Sequence, residues 1–446
     1  MESVFVIGII ITLMIVMLIL GMYVHSVLFA CGIIGLILLE GFDILPGLLG
    51  NEPFNRVASY TLTTIPLFVL MAQFILHSGL VQDIFYMIHK ISKGRNSLLG
   101  ILILIIGGML GAVSGSGTAT SASLGQVAIP ELRKHGYSGP LAGAIAASGG
   151  SLSGIIPPSI ILILYGVATE TSVGSLFIGS FLPGILTMIV FIFVMLFFFH
   201  YERRKGVTGE PSISSEEVAA TEVEQIIPIR RLIFVSVIAI SIVLIIFGGI
   251  YSGLFTPTEA GAIGAFVGFL AALFLGKVNL TFFTKSLIET VRLTGMVMII
   301  MIGAQIFGRF VSLSLLPRKL ITLLDPIMDS PVLVLMAISI VLFIMFMLIE
   351  GAAVILMSIP VILPIIQALN VDLLWFGAFI AVICTIGLLT PPVGLSVYAV
   401  AGVSGIPSNA IFKVAMVFAV VAMIVVCAVM IAFPQIVTWL PGLMSQ

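Results

Sequence analysis

Two double prolines, each inside a long apolar run, are the residues of this sequence with the most distinctive chemistry. Ser148-Gly149-Gly150-Ser151-Leu152-Ser153-Gly154-Ile155-Ile156-Pro157-Pro158-Ser159 stands between two apolar stretches, and Thr385-Ile386-Gly387-Leu388-Leu389-Thr390-Pro391-Pro392-Val393-Gly394-Leu395-Ser396 follows far downstream. Proline has no N–H to donate, and the residue before it is pushed away from helical angles. Lipid offers nothing to the carbonyls so freed, so this backbone must face protein or a wet cavity. An opened helix presents carbonyl oxygens and two half-helix ends, which is how membrane transporters hold ions and anions. One break could be a kink. Two matched breaks suggest an ion site built twice.

Each break has small polar residues to meet it. The first candidate site joins Ser114, Gly115, Ser116, Gly117 and Thr118 to the stretch Gly154-Ile155-Ile156-Pro157-Pro158. Hydroxyls and carbonyls give a hard cation several oxygens without a buried fixed charge, and glycines let the backbone come close. The second joins Gly351 to Gly387, Thr390 and Val393. The competing explanation is that these small residues only pack helices tightly. Arg292 and Arg309 could grip a substrate carboxylate through two parallel hydrogen bonds, or could snorkel from span ends. Thr118, Ser159 and Ser396 are further hydroxyl candidates for contacting substrate. Glu259 fits a capping pattern with Thr256 and Pro257, and Glu350 lies at an expected turn.

The elements that must position these residues follow from composition. The chain has 446 residues, 60% hydrophobic and 8% charged, with mean hydropathy +1.32. Soluble domains carry about 25% charged residues. The class is therefore an all-α polytopic membrane protein in a lipid bilayer, because the apolar runs are continuous rather than alternating. A net charge of −1 gives no pointer to nucleic acid. Cys31, Cys384 and Cys427 are odd in number and far apart, so no disulfide or zinc framework is expected. The start, Met-Glu-Ser-Val, has no basic region, and the first apolar segment is expected to be a retained span. No His-Glu-x-x-His, nucleotide loop or Gly-x-Ser-x-Gly occurs, so no enzyme chemistry is indicated.

The halves echo each other. Pro130 and Pro364 are 234 residues apart, as are Pro157-Pro158 and Pro391-Pro392. Ala72-Gln73 and Ala304-Gln305 are 232 apart, and Gly32…Gly35 and Gly261…Gly264 are 229 apart. The repeats are residues 1–200 and 232–446, joined by a hydrophilic linker, 201–231. Basic clusters at 89–95, 133–135, 203–205 and 230–231 are expected to face the cytoplasm. Residues 98–130 must then leave and return on one side as a re-entrant hairpin, ahead of a broken helix at 141–168. The second half repeats this with a hairpin at 332–368 and a broken helix at 372–400. Each half has about five spans plus one hairpin, so the second is inverted and both termini lie outside. Arg318-Lys319 would also lie outside, against the rule. Residues 80–95 could form an amphipathic arm or an ordinary linking helix.

At these residues the chain resembles the large membrane subunit of tripartite ATP-independent periplasmic (TRAP) transporters. The matching stretches include Thr64–Ala72, Ser114–Thr120, Ile156–Ser159, Gly179–Gly184, Tyr251–Gly261 and Thr390–Gly394. The resemblance implies sodium-driven uptake of small organic acids across the bacterial inner membrane, which makes the outside termini expected from the charge pattern periplasmic. It implies an elevator mechanism and two partners, a small four-helix membrane subunit and a periplasmic substrate-binding protein. It implies at least two Na+ sites: Ser114, Ser116 or Gly117 with Gly154, Ile156 and Pro157, and Gly351 with Gly387, Thr390 and Val393. Some relatives have serine where this chain has Gly117, which leaves backbone but no hydroxyl there. Other classes stay open: a stand-alone dicarboxylate symporter, a channel, and an intramembrane enzyme, for which the sequence offers no catalytic dyad.

Overall fold

Glycines and prolines punctuate a chain that is otherwise helical. The computed structural model describes residues 2–80, 83–84, 87, 96–206 and 229–443. The possible arm at 80–95 and the middle of the linker therefore lie largely outside the described residues. The first half contains α1 (Glu2–Ile19), α2 (Val24–Glu40), α3 (Leu45–Val57), α4 (Thr64–His77), α5 (Asn96–Ser114), α6 (Gly117–Lys134), α7 (Gly139–Ser151), α8 (Ile160–Thr169) and α9 (Val173–Arg204). The second contains α10 (Ile229–Tyr251), α11 (Pro257–Phe274), α12 (Leu280–Leu313), α13 (Leu316–Met328), α14 (Pro331–Leu348), α15 (Gly351–Ala368), α16 (Leu373–Gly387), α17 (Leu395–Ser404), α18 (Ser408–Ala432) and α19 (Gln435–Gly442).

Seven helices among the described residues are long and apolar enough to cross a membrane. They include α9, α11, α12, α14, α15 and α18, together with α4 and the turn before it. The reading of ten crossings sets α14 and α15 aside as a hairpin, adds α1, α2 and α10 to the other five, and pairs α7 with α8 and α16 with α17, each too short to span alone. Outward-facing apolar side chains are plentiful. Phe193, Phe197, Leu244 and Ile424 are each more than 60% exposed. Water would penalise such patches, whereas hydrocarbon accepts them.

Each half contains a pair of helices joined by a tight turn and a helix interrupted at its double proline. The hairpins are α5–α6 and α14–α15, with turns of two residues, 115–116 and 349–350. Helix resumes at Gly117, directly after the first turn. The breaks are 155–159, after one 3-10 turn, and 388–394. The peptides Pro157-Pro158 and Pro391-Pro392 are cis.

Packing between the halves is reciprocal. Helix α2 packs on α12, and α11 on α4. A Cβ on Gly32 would meet the backbone N of Phe307 at 2.8 Å, and one on Gly264 would meet Met71 Sδ at 2.4 Å. Helix α6 packs on α17, and α15 on α8. Helix α7 packs on α18, and α9 on α16. Thr256 and Glu259 form the expected capping box at α11, with Thr256 N–H donating to Glu259 Oε2 at 2.8 Å.

Candidate ion and substrate site

The first hairpin tip is built from hydroxyls that satisfy one another. Gly115 adopts φ +61°, a left-handed angle that glycine tolerates. Ser116 then caps α6, its side chain accepting from Ala119 N–H at 3.5 Å. Ser114 Oγ accepts from Ser116 N–H at 3.3 Å and shares a hydrogen bond with the Thr120 hydroxyl. The Ser116 and Thr118 hydroxyls are 3.3 Å apart.

The first break lies directly beneath. Pro157 and Pro158 cannot donate to the Ser153 and Gly154 carbonyls as a continuing helix would. The hydroxyl of Ser159 donates to the Gly154 carbonyl at 2.8 Å, leaving that oxygen a second lone pair. Ser153 Oγ is fully buried and, among the described residues, has no hydrogen-bond partner. A Cβ on Gly154 would come within 2.7 Å of Thr385 Oγ1, so the two broken helices cross there.

The second break repeats the arrangement with different detail. Thr390 N–H donates to Gly387 O at 3.0 Å, and Ser396 N–H to Leu388 O at 3.2 Å. Thr390 Oγ1 donates back to Ile386 O at 2.9 Å, so its lone pairs remain available. Val393 N–H donates to Met347 O at 3.3 Å, tying the break to the second hairpin. A Cβ on Gly387 would meet Phe346 Cβ at 2.5 Å. Ser396 Oγ is buried and, like Ser153, has no hydrogen-bond partner among the described residues. Glu350 caps α15, its Oε2 accepting from Ala353 N–H at 3.3 Å.

A single cavity of about 130 Å³ brings the pieces together. Its walls include Gly115, Ser116, Gly117 and Thr118 from the first tip, and Glu350 and Gly351 from the second. Ser153 and Gly154 come from the first break, and Cys384 and Leu388 from the edge of the second. Val69 of α4 and Leu293, Met296 and Val297 of α12 close it. Residues of both tips and of both interrupted helices thus line one cavity, whereas the sequence pattern pairs each tip with its own break. Ser114, Ile156, Pro157, Ser159, Gly387, Thr390, Val393 and Ser396 belong to the surrounding elements rather than to the cavity wall.

The two arginines lie elsewhere. Arg292 points away from the cavity that its neighbour Leu293 lines, is exposed, and pairs with Glu289 at 2.8 Å. Arg309 lines a separate groove between α12 and α15. Reading the sequence missed Ser153, Glu350 and Cys384 as wall residues; only the proximity of Ser153 to the double proline hinted at its place. The tight-packing explanation also holds in part. A Cβ on Gly107 would meet Gly149 Cα at 2.6 Å, and one on Gly150 would meet Ser121 N at 2.4 Å.

Residues 11–436 match the family described as tripartite ATP-independent periplasmic transporter, DctM component. The chain is 31% identical to the C4-dicarboxylate TRAP transporter large permease protein DctM of Pseudomonas aeruginosa, over 87% of this chain and 86% of that one. It is 31% identical to the sialic acid TRAP transporter large permease protein SiaM of Vibrio cholerae, over 88% and 89% of the two chains. It is 30% identical to the 2,3-diketo-L-gulonate TRAP transporter large permease protein YiaN of Escherichia coli, over 86% and 87%. With a family match across nearly its whole length and relatives that are transport permeases, the chain belongs to the TRAP transporters as a large permease subunit.

Proposed function

We propose that this subunit couples inward sodium movement to the uptake of a small organic acid, as the membrane path of a system with a periplasmic binding protein and a small membrane subunit. The observation that carries the reading is the central cavity, where two hairpin tips and two opened helices converge and bring hydroxyl and carbonyl oxygens beside the Glu350 carboxylate. The orphaned Ser153 hydroxyl on its wall is an oxygen awaiting a partner. A sodium ion held by Ser153, the Gly154 carbonyl and the tip residues Ser114 to Gly117 would satisfy it. Gly351, Gly387, Thr390 and Val393 would hold a second ion. Serine and threonine oxygens and carbonyls suit a hard cation, and the Glu350 carboxylate on the same wall adds an oxygen donor near the second ion.

The reciprocal packing of the halves supports two inverted repeats around a pseudo-twofold axis. In this reading α5 to α8 and α14 to α17 form the body that slides past α2, α4, α11 and α12. Sodium would order the tips and so complete a cavity for the acid, with Thr118 on its wall. The basic ends of α6 and α9 would face the cytoplasm of a bacterial inner membrane, with both termini periplasmic.

The test is uptake into liposomes containing this chain and its small membrane subunit, with the soluble binding protein outside. Fumarate, N-acetylneuraminate and 2,3-diketogulonate are offered in turn, with sodium or potassium. Saturable uptake that needs both sodium and the binding protein is expected. Uptake without the binding protein would instead identify a stand-alone symporter, and sodium-independent, unsaturable flux a channel.

A further inference from the structure

Three helices that line the central cavity continue outward to line a second opening. Helix α8 gives Ile161 to the cavity and Ala168 to the groove; α15 gives Gly351 and then Pro360. Helix α12 gives Met296 to the cavity and Arg309 to the groove. All three run from cavity to groove in the direction of the chain. At 1.5 Å per residue, Met296 and Arg309 are about 20 Å apart along α12, and Ile161 and Ala168 about 10 Å apart along α8. The groove, about 340 Å³, therefore lies on the continuation of the cavity rather than in an unrelated part of the fold.

Its polar wall is one face of α12. Gln305, Arg309 and Ser312 follow one another at spacings of four and three residues, so they stack along one stripe. Arg309 is exposed into this groove and has no ion-pair partner among the described residues. Gly308 lets α15 approach: a Cβ there would meet Pro360 at 3.2 Å. An arginine without a carboxylate, on a helix that spans a membrane, belongs to a wet path and not to lipid. Its planar fork of donors matches a carboxylate or sulfonate. More positive charge follows at the next helix, where Arg318 is exposed and Lys319 Nζ donates to Ser314 O at 3.0 Å. These are the basic residues that break the charge rule in the sequence.

We infer that this groove is an anion-collecting vestibule, in which Arg309 takes the anionic group of the cargo before the cargo reaches the central cavity. The inference rests on the transport reading only for what that anion belongs to; the groove's preference for a carboxylate or sulfonate is a property of its own residues.

The test therefore avoids uptake. Ser312→Cys places an exposed thiol one turn from Arg309. In open membranes it is reacted with 2-sulfonatoethyl and with 2-trimethylammonioethyl methanethiosulfonate, each rate being counted above that of the parent chain. Rates are divided by those for a free thiol in solution. The anionic reagent should be favoured by roughly three- to tenfold in low salt, and less so in high salt. Adding R309Q should bring the ratio near one, while R309K should keep most of it. A ratio unchanged by R309Q, or an introduced thiol that reacts with neither reagent, overturns the inference. Either result leaves the transport reading standing, and absence of uptake in liposomes would not alter this outcome.

Discussion

Ser153 shows how much a single oxygen can decide. Leaving a buried hydroxyl unpaired costs about 1–3 kcal/mol. Ser153→Ala removes that cost, so without sodium the variant should melt no lower than the parent chain. With sodium the order should reverse. The parent gains stability as ligand concentration rises above the dissociation constant, and the variant should need several-fold more sodium for the same gain. Thermal unfolding of the purified protein across a sodium series, with potassium as control, checks both halves; equal sodium response in the two chains would remove Ser153 from the site. The place of this serine could not be read from the sequence. Proline acts on its own backbone and is visible in one dimension, whereas the Ser153 hydroxyl matters because, among the described residues, no polar atom of another helix hydrogen-bonds to it. Arg292 and Arg309 were ambiguous for a related reason. Helix α12 is apolar on most sides, so its pattern does not reveal which face meets the cavity, and the structure turns Arg292 outward toward Glu289.

Helices in this protein approach through glycine, and the approach is tightest around α7. Gly150→Ala would set a Cβ 2.1 Å from Ser121 Oγ and 2.4 Å from the Ser121 backbone N, which cannot swing aside. Overpacking of this kind typically costs about 1–3 kcal/mol. Gly402, in α17, has open space around it. Gly402→Ala should therefore be neutral or stabilise by about 0.5–1 kcal/mol through helix entropy. Melting temperatures of the two variants in detergent should move in opposite directions or only the first should fall. Boundaries at this scale were largely legible: hairpin and break positions follow from glycine, serine and proline, whose backbone effects are local. The sequence reading did not foresee α3, α13 or α19. They are short; α3 and α19 are interrupted by Pro53 and Pro441, and the one-sided apolar pattern of α13 was passed over.

At the scale of the whole molecule, the sign and number of charges moved decide how uptake responds to voltage. Each elementary charge crossing 100 mV is worth about 2.3 kcal/mol. A dianion that enters with two sodium ions gains nothing from the membrane potential. The transport reading therefore expects at least one sodium more than the charge on the acid, and an inward positive current during uptake in liposomes. Electroneutral uptake would reject that stoichiometry. The class of the molecule was legible from hydropathy alone, because lipid imposes the same demand on every span. The contact between halves was not, since it joins residues far apart in the chain, as in the 2.7 Å pair of Thr64 and Thr258 hydroxyls at a separation of 194 and the Tyr165–Leu373 hydrogen bond at 208.

That embrace has a practical consequence. Because α6 leans on α17 while α15 leans on α8, neither half carries a finished surface of its own. Severed within residues 207–228 and made as two polypeptides, the protein should survive only when both fragments are produced together. Copurification of the pair through a tag on one fragment, and rapid proteolysis of either made alone, would reveal a heterodimer of obligate partners that happens to be encoded as one chain.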